Sequence, residues 1–82
     1  MQVIDTNTFN RLKKGDTTGF MSHTEADIAF CEYLACCGFS AESIDEKYRE
    51  SGLMREKWNR QQSGTTYGAL VIEKAMQKGE KP

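Results

Sequence analysis

Apolar residues recur every three or four positions along most of this chain, the spacing of helices with one buried face. The clearest stripe is Ala26, Ala29, Phe30, Tyr33, Leu34 and Cys37. It is preceded by Ser22-His-Thr-Glu25, the spacing at which serine and glutamate satisfy each other's end of a first turn, and is stopped by Gly38. Ser40 repeats the start signal for a second helix carrying Ala41, Ile44 and Tyr48 and ended by Gly52. Upstream, Asp5 or Thr6 caps a short helix with Phe9 and Leu12 on one face and Lys13-Lys14-Gly15 at its end. Downstream, Thr65 or Thr66 caps a last helix in which Tyr67, Leu70, Val71, Ala75 and Met76 share a face and Gly79 marks the end.

The connections are set by the residues these stripes leave over. Asp16 to Met21 reads as a loop pinned by Phe20, Leu53 and Met54 plug the junction after the second long helix, and Arg55 to Arg60 forms a short helical turn. Gln61-Gln62-Ser63-Gly64 is too polar to pack, and no strand is expected anywhere. The pattern therefore predicts an all-α fold, a small bundle of about four to five short helices in one domain. Residues 1–21 form its short helix and loop, 22–79 its main bundle and 80–82 a frayed tail.

Composition narrows this further. Eighty-two residues cannot build two cores, and 38% hydrophobic against 28% charged residues makes a globular chain with a small core. No apolar run approaches the roughly 20 residues that cross a bilayer, and the N-terminus lacks a signal sequence, so a cytoplasmic protein without membrane partners is expected. Cys31, Cys36 and Cys37 are odd in number, contain no CxxC pair and have only His23 for company. Neither a disulfide framework nor a metal site is expected, and no cofactor.

Charge is segregated within a near-neutral total. Glu25, Asp27, Glu32, Glu42, Asp45 and Glu46 lie in a stretch free of lysine and arginine, whereas Lys47, Arg49, Arg55, Lys57, Arg60, Lys74 and Lys78 dominate the C-terminal half. An isoelectric point near 5.8 excludes a strongly basic DNA binder and allows only a local patch.

That patch is Ser51-Gly-Leu-Met-Arg-Glu-Lys-Trp-Asn-Arg60 together with Thr65-Thr66-Tyr67-Gly68. Arg55, Lys57 and Arg60 are candidate phosphate contacts. The outward-pointing amides of a helix start at Thr66, Tyr67 and Gly68 would cradle the same anion, with Gly68 letting a backbone approach. Trp58 belongs in the core ahead of stacking on an unpaired base, and Tyr67 is a core residue whose hydroxyl reaches the surface. His23 has no evident partner, the carboxylates look like solvated helix faces, and no phosphate loop or nucleophile motif is present. A non-enzyme is expected, with no catalytic residues.

Several of these segments resemble the helical-bundle domain that accompanies primase-polymerases and helicases of phages and other mobile elements. The likeness runs from about Phe9 to Met76. It is carried by Phe9-x-x-Leu12 with Gly15-Asp16, Ser22-x-x-Glu25-Ala26-Asp27, Leu34-Ala35, Ile44-Asp45, Ser51-Gly-Leu53-x-Arg55-x-Lys57-Trp58, Thr66-Tyr67-Gly68 and Ile72-x-Lys74-Ala75. The resemblance implies an accessory module that binds template DNA, single-stranded ahead of duplex, or docks on a replication protein. No nucleotidyl-transfer segment is recognised within these 82 residues, so no polymerising activity is expected of them. Where the family usually places large aromatics after the Leu-Ala pair, this chain has Cys36 and Cys37, so either another side chain such as Phe39 fills the space or a docking groove opens. A rival reading makes the chain an inhibitor of a host nucleic-acid enzyme that mimics DNA through Glu42, Asp45 and Glu46.

Overall fold

Each long helix begins at a cap that the sequence predicts. In the computed structural model, which describes residues 4–62 and 64–79, α1 spans Thr6–Lys13, α2 His23–Cys36, α3 Ala41–Arg49 and α4 Tyr67–Gly79. The side chains of Asp5, Ser22 and Ser40 accept from the amides of Thr8, Glu25 and Ser43, and Thr66 accepts from Ala69. Each cap satisfies one amide that would otherwise have no partner inside its helix, typically worth about 1 kcal/mol. A 3₁₀ turn over Glu56–Asn59 fills the expected short helical segment.

Contrary to the expectation of no strands, the described residues contain one pair. Gln61–Gln62 (β1) and Thr65–Thr66 (β2) form a two-residue antiparallel ladder that reverses at Gly64, φ 83°. Gln61 and Gln62 are exposed, so no buried alternation announces the pair in the sequence.

α2 is the central element. It packs most heavily on α4 and also meets α1 and α3, so Ala26, Asp27, Phe30, Cys31, Glu32 and Leu34 are buried around more than one face. The single stripe expected here is thus too narrow, and its last member, Cys37, is exposed at the helix end. Ala41 is likewise exposed, whereas Ile72 joins the buried face of α4 beside Val71 and Ala75. Leu53 is fully enclosed and Phe20 rests against the core, as the sequence implies.

Aromatic rings connect every helical element. Tyr33 stacks on Phe9 at 4.2 Å and Phe9 on Phe30 at 4.9 Å; Phe30 meets Tyr48 edge-on, Tyr48 stacks on Trp58 at 3.5 Å, and Trp58 meets Tyr67 edge-on. Each such pair adds about 0.5–1.5 kcal/mol beyond the area it buries. Trp58, at 1% exposure, is therefore core and closed to base stacking. Phe39 does not fill the place left by the cysteines. It stays exposed on the edge of a groove of about 250 Å³ that Phe9, Tyr33 and Cys37 also line, with the Lys47 ammonium over its ring.

Gly52 and Gly68 each sit at a point of close approach. Gly52 does not end α3, which stops at Arg49. Its amide donates to the Lys13 carbonyl at 2.8 Å, and a Cβ there would sit 2.5 Å from the Lys14 carbonyl. Gly68 admits the Trp58 indole rather than another backbone, since its Cβ would lie 2.5 Å from Cε2. Gly68→Ala is expected to lower stability by about 1–3 kcal/mol through overpacking, several degrees in Tm for a domain of this size. A circular-dichroism melt measures it, and an unchanged midpoint would contradict the packing of Trp58 on α4.

Candidate nucleic-acid interface

The acidic stretch of the sequence holds one carboxylate with no exposure at all, Asp27 on the inner side of α2. Tyr48 of α3 and His23 Nδ1, one turn earlier in α2, approach its Oδ1 at 2.8 and 3.2 Å. Tyr67 of α4 donates to Oδ2 at 2.7 Å, and Arg55 offers both terminal nitrogens to the same oxygen at 3.1 and 3.3 Å. The proton of Tyr48 is shared with the Leu53 carbonyl at 2.9 Å, and the Tyr67 oxygen lies 3.1 Å from the Thr24 hydroxyl. Desolvating an ion costs several kcal/mol, and only a set of donors this complete offsets it. Burial, followed by the Asp27 hydrogen bond and charge, pushes the Tyr48 hydroxyl above its ordinary pKa. Burial and Asp27 also raise Tyr67, a rise that the Thr24 contact partly opposes. Both hydroxyls therefore remain donors.

This geometry corrects two expectations. His23 has a partner, and the Tyr67 hydroxyl points inward rather than to the surface. Arg55 pairs with Asp27 at 3.1 Å and keeps 27% of its side chain exposed. At the start of α4 the Tyr67 amide donates to the Arg60 carbonyl, Thr66 caps Ala69, and Gly68 is buried against Trp58.

The acids are dispersed as well. Asp27 and Glu32 are buried, whereas Asp45 accepts from Trp58 Nε1 and Arg49 Nε, each at 2.8 Å. Burial pushes the Asp45 carboxyl up, but these two donors outweigh it and leave the pKa below the usual carboxylate range. Glu42 and Glu46 remain exposed. The stretch from Glu25 to Glu46 is thus not one solvated acidic face.

What remains outside is a smaller basic cleft. Lys57 and Lys74 line a hollow of about 240 Å³ with Thr24, Ile28, Gln62 and Leu70. The Lys57 ammonium sits 4.6 Å from the centre of the Tyr67 ring, a cation–π contact that orients it. Arg60 is exposed at the entry to β1. Sequence reasoning missed Lys74 and Gln62 as members of this group. Lys74 stands seven residues beyond Tyr67 on the helix, two turns along the same face, and that interval is a usable signal.

The family model of the NrS-1 polymerase HBD domain matches residues 23–81. The chain belongs to this family. The match begins at the first residue of α2, so α1 with Phe9 lies outside it although the motif resemblance reaches that far. A DNA primase-polymerase of Nitratiruptor phage NrS-1 is 44% identical over 50 residues, 60% of this chain. The chain spans only about 7% of that protein's length. No solved structure matches.

Within this HBD-family domain, Asp27→Ala should cost about 3–5 kcal/mol, because Arg55 and two buried hydroxyls lose their acceptor. Urea titration checks it; a loss below about 1 kcal/mol would remove Asp27 from its central role. The tyrosines predict the pH response. Their folded pKa lies above the ordinary value of about 10, so their contribution is complete below that pH and falls as pH rises past it, when only the unfolded chain releases the protons. Stability measured from about pH 8 to 11 should decline at the alkaline end, and less steeply in Tyr48→Phe.

Proposed function

We propose that this chain is a non-catalytic helical module of a phage or mobile-element replication system, and that it holds single-stranded template DNA across the cleft of Lys57 and Lys74. The observation that carries the proposal is membership of the NrS-1 polymerase HBD domain family, with a DNA primase-polymerase among the relatives. The surface supplies the chemistry. Lys57, Lys74 and exposed Arg60 would neutralise successive phosphates, while Gln62 and Thr24 offer hydrogen-bonding groups and Ile28 and Leu70 an apolar surface for a base. Of the six residues that the sequence assigns to the interface, Lys57 and Arg60 act directly in this reading. Arg55, Thr66, Tyr67 and Gly68 act by holding them in place through Asp27, the α4 cap and Trp58.

Three cations on a chain of net charge −1 make a weak, salt-sensitive contact. Oligothymidylate binding measured by fluorescence anisotropy over a salt series tests it. Lys57→Ala and Lys74→Ala should each reduce the slope of log K against log salt by about 0.7 while leaving the helical spectrum unchanged. Binding that is absent at low salt, or that survives both substitutions with an unchanged slope, rejects the proposal.

A further inference from the structure

A groove of about 570 Å³ runs between α3 and α4, away from the basic cleft. Buried Ile72 and half-buried Met76 line it with the small exposed Ala69, and its carboxylates come from both helices: Glu42 and Asp45 from α3, Glu73 from α4. None of its lining residues is a cation. Asp45 is already held by Trp58 and Arg49, which leaves exposed Glu42 and Glu73 to face an incoming group.

The groove and the cleft occupy opposite sides of α4. At about 100° per residue, Ala69, Ile72, Glu73 and Met76 cluster on one side of the helix, and Tyr67, Leu70, Val71 and Lys74 on the other. A ligand in the groove therefore leaves the basic cleft open.

We infer that the groove docks an amphipathic helix of a protein partner, one with leucine-like residues spaced i, i+3/i+4, i+7 and lysine or arginine on its flanks. Charge complementarity selects this occupant. The apolar lining accepts an aliphatic stripe in the helix-in-groove manner, and Glu42 and Glu73 attract flanking cations. Nucleic acid is repelled by the same carboxylates. A second copy of the chain is disfavoured too, because a two-fold pairing through this groove would set Glu42, Asp45 and Glu73 against their own copies.

The probe is a synthetic helix of about 18 residues, five turns, with leucines at those spacings and lysines elsewhere, added to the full chain and monitored by methyl and amide NMR. The Ile72 and Met76 methyls and the Glu42 and Glu73 amides should shift. Glu42→Lys combined with Glu73→Lys should weaken binding at least about tenfold, and Ala69→Arg should block it; each variant's amide spectrum verifies that it is folded. Lys57→Ala with Lys74→Ala should leave peptide binding unchanged, so failure here is distinguishable from failure of the DNA proposal. The inference is overturned if a glutamate-for-lysine peptide binds equally well or the shifts map to another face. It is also overturned if oligothymidylate moves the same methyls, or if sedimentation shows a dimer that Ala69→Arg dissociates.

Discussion

A carboxylate sealed inside a domain of 82 residues is the constraint that organises this fold. Asp27 is reached by donors from α2 itself, from α3, from the segment after α3 and from α4, so the helices must come together in one arrangement to satisfy it. A core this small gains limited free energy from apolar burial, and an unsatisfied ion within it would erase much of that gain. The aromatic chain from Tyr33 to Tyr67 provides the bulk contacts. Asp27 sets their angles, since Tyr48 and Tyr67 belong to both systems.

Apart from Lys57, the named residues of the signature Ser51-Gly-Leu-x-Arg-x-Lys-Trp are held in packing and internal hydrogen bonds. Ser51 donates to the Tyr48 carbonyl and accepts from the Leu53 amide, closing the end of α3. Gly52 lets that turn touch α1, Leu53 fills the core, Arg55 answers Asp27, and Trp58 wedges between Tyr48 and Gly68. Among its basic residues, Lys57 is the one left beside the cleft. A family likeness resting on these positions therefore speaks first for the fold. The proposed DNA contact depends on what the fold leaves outside.

The difference between legible and illegible features is one of range. Caps at Asp5, Ser22, Ser40 and Thr66 act within three residues, so local spacing suffices to find them, and one tryptophan in so small a domain is a natural core residue. Asp27 looks no different from Glu25 in the sequence. Its burial is decided by partners 21, 28 and 40 residues away, which no window contains. The same holds for Gly52 and Gly68, whose surroundings come from α1 and the 3₁₀ turn. The breadth of the buried surface on α2 stays hidden because a helix covered on several sides loses its single-stripe pattern.

Charge segregation changes meaning once these long-range contacts are known. The acidic half of the sequence does not become an acidic half of the molecule, because Asp27 and Glu32 enter the interior and Asp45 ties the 3₁₀ turn to α3. Arg55 leaves the basic half for the same reason. Two of the charges that remain at the surface are sorted by the helical period of α4: Lys74 falls on the side facing α2 and the hairpin, and Glu73, one residue earlier and about 100° away, falls on the side facing α3. One helix thereby separates a cationic cleft from an acid-rimmed apolar groove in a chain whose net charge is only −1. Total charge describes such a molecule poorly, since each ligand meets only the face that its own chemistry complements.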